Sequence, residues 1–451
     1  MMKKLLFLTI CLLLIVSVGA NAQWKFVKFF PDTVKYPNKQ WASGINNGIA
    51  VDPDGKIWIQ SYAGAVDSML LPDGKYKTCG VIQVYYPNGT PASFSPIKIL
   101  TGKDITGAAV ADTLGGSGYG LSVDPSTGNI LSVKTSTRLW KIDYKTGKGI
   151  LKIINPIPGY TSSIGAVGAD NFGEIFIAPV VPGAAVGILN SDFTAAGTVT
   201  NATVGYSRAA AVSGDGNDVY VALFDKLKVH VFHSDNGSLG PYALKDSIFL
   251  GLASETLTWQ PKTGYLWTTS GNVTSGNPTP PWLGYRWYAW SLTAKKIVDS
   301  IAWYDPQIPL YGNDQRPRGI AFNKNGDTAY VACFNSNATP PASWVEVFAK
   351  GGATAVEPIP GVIPASYTLS QNYPNPFNPS TQIRFTLTQT GMTTLKVYDL
   401  MGREVATLVN ETMNAGAYTV RFDASHLSSG TYMYVLTSGT ARLTNKIILV
   451  K

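Results

Sequence analysis

Six stretches of the chain repeat one alternation of apolar and polar positions. Each has a small residue, two or three apolar or small positions, a turn rich in Asp, Asn, Pro and Gly, and then an apolar, aromatic run. The first runs Gly48-Ile49-Ala50-Val51-Asp52-Pro53-Asp54-Gly55 into Ile57-Trp58-Ile59, and the second Gly120-Leu121-Ser122-Val123-Asp124-Pro125 through Gly128 into Ile130-Leu131. Residues 165–173 lead to Ile175-Phe176-Ile177, residues 209–216 to Val219-Tyr220-Val221, residues 256–264 to Tyr265-Leu266-Trp267, and residues 319–326 to Tyr330-Val331. Period-two runs on either side of such a turn predict paired antiparallel strands. Each unit then continues with a strand and a hairpin, clearest in Leu139-Trp140-Lys141-Ile142-Asp143 followed by Thr146-Gly147-Lys148. Val229-His230-Val231-Phe232 and Trp344-Val345-Glu346-Val347-Phe348 occupy the same place. The units start at 48, 120, 165, 209, 256 and 319, in steps of 72, 45, 44, 47 and 63 residues. A period in the mid-forties with four strands per unit is that of propeller blades, and the two longer steps hold insertions.

The expected fold is therefore all-β, with a six-bladed β-propeller over residues 23–350; a count of seven follows if the 72-residue step holds a further divergent blade. The last unit ends at 344–350 without an outer strand, whereas Trp24-Lys25-Phe26-Val27-Lys28-Phe29 is a strand with no unit of its own. The N-terminal strand is expected to complete the last blade and cover the open edge. The repeat resembles the NHL and YVTN class of propellers. Residues 351–365, with three prolines among them, read as a linker.

Residues 366–451 have a different pattern. They open with Tyr373-Pro374-Asn375-Pro376-Phe377-Asn378-Pro379-Ser380-Thr381. The prolines remove ladder donors and hold the chain extended, while Asn372, Asn375 and Asn378 favour side-chain-to-backbone turns, so this entry is ordered without being a strand. Beyond it Ile383, Phe385 and Leu387 alternate with polar residues, as do Leu395 and Val397, and Tyr432, Tyr434 and Leu436. About seven such short strands predict a small Ig-like sandwich. Together with Val397-Tyr398-Asp399, Gly402-Arg403-Glu404-Val405, Ala415-Gly416, Phe422-Asp423, residues 427–432 through Gly430 and Tyr432, and the closing Lys446 to Lys451, the segment resembles the type A C-terminal sorting domain of the type IX secretion system of Bacteroidetes and their relatives. That resemblance implies passage through the Sec translocon and the type IX machinery to the cell surface or the medium.

The N-terminus fits such a route. Lys3 and Lys4 precede an apolar run from Leu5 to Val18, and Ala20-Asn21-Ala22 supplies small residues for cleavage, so residues 1–22 read as a signal peptide. The run is short for a membrane span, and no other segment reads as one, so no integral membrane segment is expected in the mature chain. Without the two leader lysines, 34 basic residues face 28 acidic ones, with no basic run that would argue for nucleic acid. With 45 Gly, 28 Pro and 23 Tyr the composition suits a turn-rich exported β protein. Cys79 and Cys333 remain beyond the leader and can bridge in an oxidising compartment.

Chemistry is sparse. Asp52-Pro53-Asp54-Gly55 and Asp215-Gly216-Asn217-Asp218 superficially resemble calcium loops, but they lack the full ligand series, and hairpin turns account for them. His230 and His233 fall on opposite faces of one strand and cannot share a metal. No metal or cofactor is expected. The residues just before the first strands, where a channel mouth would lie, are Asn47, Tyr119, Ile164, Arg208, Glu255 and Arg318. Two arginines beside a glutamate suit an anionic or sugar-acid ligand, or else simply neutralise the glutamate. Propellers of the gluconolactonase and regucalcin family ring a divalent metal with a carboxylate and asparagines; a glutamate between two arginines departs from that pattern. An aromatic tract with Trp282, Trp287 and Trp290 offers a platform for a glycan or a surface protein, or packs between blades. Asp followed by Ser or Thr and an apolar residue recurs at 32, 67, 112, 246 and 299 and resembles the periplasmic O-glycosylation site of Bacteroidetes. The leading expectation is a non-enzymatic extracellular binding or scaffold propeller, and the alternative is a hydrolase or lyase acting on a glycan or lactone at the channel mouth.

Overall fold

The computed structural model describes residues 24–31, 46–61, 67–70, 75–115, 118–134, 137–156, 163–270, 282–303, 315–335, 345–350, 356–359, 366–413, 415–424 and 427–451. The expected signal peptide, the Asp32 motif, Trp344 and His426 lie outside these residues. Apart from one 3-10 turn at Gly237–Leu239, every regular element described is a β-strand.

Among the described residues of 24–350, six sheets of three or more strands form, mostly from antiparallel pairing of strands that follow one another in the chain, besides one two-stranded hairpin. The first joins Asn46–Val51, Ile57–Ser61 and Ile82–Tyr85; the second is built on Gly118–Val123, Ile130–Lys134, Arg138–Ile142 and Gly149–Ile154. The third runs from Gly168–Ala169 through Ile175–Ile177 and Val186–Leu189 to Ala195–Thr200, and the fourth from Ser207–Val212 through Asp218–Leu223 and Lys228–His233 to Ala243–Ile248. The fifth comprises Leu257–Trp259, Leu266–Thr269, Arg286–Ser291 and Lys296–Ala302. In the sixth, Gln315–Phe322, Thr328–Asn335 and Val345–Lys350 are joined by Trp24–Phe30, which pairs antiparallel with Val345–Lys350 from Trp24↔Lys350 to Phe30↔Val345. The N-terminal strand thus takes the edge expected of it.

A tight turn links the first two strands of each of these sheets, of four residues or, at Gly128 and Gly264, five, and its closing glycine has a left-handed φ, from +65° at Gly264 to +87° at Gly173, with Gly55, Gly128, Gly216 and Gly326 between. A side chain with Cβ is strained there, which is why the turn keeps glycine. Asp52 and Asp170 stabilise it identically. Their Oδ1 atoms accept from the backbone N–H groups two and four residues on, at 3.0 and 2.8 Å for Asp52 and at 3.0 and 2.9 Å for Asp170.

The core lies between sheets. Six clusters of buried side chains among the described residues each draw on two consecutive sheets: Trp58 with Trp140, Val133 with Ile177, Phe176 with Val221, Tyr220 with Leu266, Trp267 with Val331, and finally Tyr330 and Val345 of the last sheet with Ile57 and Ile59 of the first. Burying one such side chain contributes roughly 1.5–3 kcal/mol. Each sheet therefore depends on both neighbours.

The 72-residue step holds two hairpins, Asp67–Leu70 with Tyr76–Cys79 and Ile99–Asp104 with Ala109–Thr113. The latter docks on the second sheet through parallel pairing of Ile99–Asp104 with Gly149–Ile154. Gly102 and Gly149 permit this approach, since a Cβ on Gly102 would lie 2.7 Å from the Gly149 carbonyl oxygen. Cys79 is buried, and the side chain of Cys333 lies outside the described set.

The C-terminal segment consists of two four-stranded sheets facing across one core that includes Phe385 and Phe422 from one and Leu395 and Tyr434 from the other. Within the expected linker of residues 351–365, Val356–Ile359 pairs antiparallel with Gly416–Asp423. The open edge of that strand accepts another, and Pro358 is tolerated because an edge strand needs donors on one side only.

Candidate functional site

Of the residues expected at a channel mouth, three converge. Arg208 Nε lies 3.4 Å from Glu255 Oε2 and Arg318 Nη2 3.4 Å from Glu255 Oε1, so one carboxylate joins the first strands of the fourth, fifth and sixth sheets. The side chains of Glu255 and Arg318 are 9% exposed and that of Arg208 25%. Arg208 also lies over the Phe224 ring at 5.1 Å. Asn47 and Tyr119 do not join this set: the Asn47 side-chain amide donates to Gly118 O at 3.1 Å, and Tyr119 packs on the cluster that holds Ile164, Leu131 and Ile175. Two guanidiniums around one carboxylate leave a net positive charge on the set.

The aromatic tract divides. Trp287 is fully buried between the fifth and sixth sheets and donates its indole N–H to Arg318 O at 3.0 Å, so it cannot serve as a platform. Trp282 is 8% exposed, with its indole N–H on Leu250 O at 2.8 Å. Amphipathic rings bury when their N–H finds a carbonyl, and both do. Trp290 is half-buried. Trp282 and Trp290 instead line one side of a cleft of about 420 Å³ between the outer strand of the fourth sheet and the outer hairpin of the fifth. Phe249 also lines it, 5.5 Å from the Trp290 ring and 6.2 Å from that of Trp282, and Tyr288 stands edge-on to Trp282 at 5.0 Å. Ser247, Lys295 and Lys296 supply the polar rim. Phe249 and Lys295 hold left-handed φ angles of 52° and 49°. Such angles in non-glycine residues are uncommon and cost about 1–2 kcal/mol each, so the surrounding packing dictates the shape of the cleft. The sequence signalled the tryptophans but not Phe249 or the lysines, which reach the cleft only when the two sheets meet.

The C-terminal entry is held by its own side chains. Asn372 is 2% exposed; its amide donates to Pro374 O at 2.9 Å and Thr381 Oγ1 at 3.0 Å, and its backbone N–H donates to the Tyr434 hydroxyl at 2.9 Å. Asn375 Oδ1 accepts from Ile448 N at 2.9 Å. Phe377, 3% exposed, bonds through its backbone to Ile448 and Val450, which pins the entry to the last strand. Tyr432, 9% exposed, donates to Ser428 O at 2.8 Å. By contrast Tyr373, Pro374, Pro376, Asn378, Gly402, Gly430, Lys446 and Lys451 are exposed, and Pro379 is half-buried. Residues 371–451 match the family model of the secretion system C-terminal sorting domain. This sorting domain is that of type IX secretion, and it makes the chain a secreted or cell-surface protein handled by the type IX machinery. No curated protein matches the chain. No helix among the described residues is long and apolar enough to cross a membrane. Within the sorting domain the motif residues thus fall into a buried set that holds the fold and an exposed set open to recognition.

Proposed function

We propose that residues 24–350 close into a six-bladed β-propeller of NHL-like repeats and act outside the cell as a non-enzymatic binding module. In this reading the first 22 residues are removed as a signal peptide and the sorting domain delivers the propeller across the outer membrane. Closure is supported by the sixth core cluster, which joins the last sheet to the first, and by Gly319, where a Cβ would lie 2.8 Å from Asn47 O. The observation that carries binding is the cleft of Phe249, Trp282, Tyr288 and Trp290. Its volume of about 420 Å³ falls among those of small-ligand sites, and its apolar walls with a few polar groups at the rim follow their usual make-up. The rings favour an apolar or aromatic moiety, and Lys295 and Lys296 favour an anionic group attached to it. At the Arg208–Glu255–Arg318 set, by contrast, the carboxylate is already engaged.

Tryptophan fluorescence of the mature chain, titrated with aromatic carboxylates, sulfated aromatics and acidic glycans, tests this reading. Saturable quenching is expected for at least one anionic class, with affinity reduced about tenfold or more in Trp290→Ala and in the Lys295→Glu, Lys296→Glu double variant. Saturable binding that both variants leave intact, or no binding across the panel, rejects the cleft as the site.

A further inference from the structure

The turns of the first and third sheets are built alike but neutralised differently. In Asp52-Pro53-Asp54-Gly55-Lys56 the free carboxylate oxygen of Asp52 receives the Trp58 indole N–H at 2.9 Å and the Lys56 ammonium at 3.0 Å. In Asp170-Asn171-Phe172-Gly173-Glu174 the same backbone bonds form, yet the position of Lys56 is taken by Glu174. Asp170 is 0% exposed, and its Oδ2 is buried with no hydrogen-bond partner. Burial first, and then the acid at Glu174, push the Asp170 carboxyl up to about 6. Gly216, in the turn of the fourth sheet, packs against Asp170, since a Cβ there would stand 3.0 Å from Asp170 Oδ2. Tyr242, whose hydroxyl donates to Gly216 O at 2.6 Å, is raised by burial and by Glu174, Asp170, Asp215 and Asp218. A buried, half-unpartnered carboxylate with a second acid four residues on therefore stands where the equivalent turn of the first sheet places a cation.

We infer that Asp170 and Glu174 bind a calcium-class divalent cation at the junction of the third and fourth sheets, in the role that Lys56 plays for Asp52. A hard cation suits an all-oxygen site, and calcium accepts irregular geometry with backbone and water oxygens completing six to eight ligands. Among the described residues no third His, Cys, Asp or Glu joins the pair, so these other oxygens complete the shell. With two carboxylates the affinity belongs to the weak extracellular range, a Kd of about 10⁻⁴–10⁻³ M. The site would tie the two sheets together only once the protein has reached a calcium-containing exterior.

Thermal unfolding of the mature full-length chain in EDTA, in calcium chloride and in magnesium chloride tests the inference, alongside terbium luminescence excited through Tyr242. Millimolar calcium is expected to raise Tm by about 2–4 °C. Glu174→Lys, which installs the ammonium found in the first sheet, should raise Tm in EDTA and abolish both the calcium increment and most of the sensitised terbium emission. Glu174→Gln should lose the increment without gaining the EDTA stability. The competing occupant is a shared proton. Because the folded-state value of Asp170 is raised, a proton-held pair stabilises the fold below about pH 4 and loses that contribution as pH rises through about 6. A Tm that rises on acidification and ignores calcium at every pH overturns the cation site, as does a calcium increment that persists in Glu174→Lys.

Discussion

Lys56 and Lys134 are both buried lysines, and the difference between them is one of partners. Lys56 meets Asp52 and Asp54 at 3.0 and 2.9 Å. Lys134, 1% exposed at the end of Ile130–Lys134, donates to the Ser61 carbonyl at 2.5 Å, has no acidic partner among the described residues, and burial lowers its ammonium to about 8. Its stem fits between Gly80 and Gly118, where a Cβ would lie 3.1 and 3.0 Å from it. Replacing an unneutralised buried charge by a side chain of similar length relieves desolvation. Lys134→Met is expected to stabilise the protein by about 1–3 kcal/mol at pH 7, read by urea unfolding. The folded-state value is lowered, so the wild type gains stability as pH rises from about 8 to 10.5, where the unfolded chain still binds the proton, and the variant should lack that rise. A variant less stable than wild type at pH 7 would show that the Ser61 bond outweighs the desolvation. The sequence announced the Asp turns through their own spacing. It could not announce Lys134, whose surroundings come from residues far away in the chain.

At the scale of elements, the strand Trp24–Phe30 carries the most consequence. Trp24 donates its indole N–H to Asp299 Oδ2 at 2.9 Å, the same oxygen holds the Lys350 ammonium at 2.8 Å, and the Trp24 ring stands edge-on to Trp267 at 6.0 Å. One residue thus ties the last strand of the sixth sheet to the fifth. Trp24→Ala should cost about 3–5 kcal/mol in chemical denaturation. Lys25→Ala, by contrast, removes only an exposed ion pair with Asp423 at 2.8 Å and should stay within about 0.5 kcal/mol of wild type. Equal effects of the two would mean that the strand is held by its ladder alone. This pairing was legible because a strand without a unit and a unit without an edge strand lay at opposite ends of one repeat. The hairpin Ile99–Asp104 with Ala109–Thr113 was not, since its exposed alternation does not say which sheet it will join. The strand Val356–Ile359 was hidden by its proline and short length.

For the whole molecule, the sorting domain sets the destination, and its buried and exposed motif residues make separate predictions. Asn372→Ala removes buried hydrogen bonds to Pro374 O and Thr381 and should destabilise the domain by about 1–3 kcal/mol. Tyr373 is 82% exposed, so Tyr373→Ala should leave stability within about 0.5 kcal/mol yet lower the amount of protein reaching the surface. Surface immunodetection beside circular dichroism separates the two, and normal delivery of Tyr373→Ala would remove that side chain from the recognised set. Three of the five O-glycosylation-like triplets, beginning at Asp112, Asp246 and Asp299, lie on the outermost strands of their sheets.

What the sequence alone determined was whatever is local or repeated: strand periodicity, the glycine that closes each turn, and the sorting motif with its Pro/Asn entry. These follow from backbone geometry and side-chain alternation within about ten residues, where chain connectivity already dictates who meets whom. The tertiary structure alone decided which polar and aromatic residues act together. Arg208, Glu255 and Arg318 converge while Asn47 and Tyr119 stay apart. Trp287 disappears into the core while Trp290 meets Phe249 across a cleft, and Asp170 Oδ2 is buried without a hydrogen-bond partner among the described residues. Each outcome depends on how neighbouring sheets pack, which sets distance and burial between residues whose sequence separation carries no information about either.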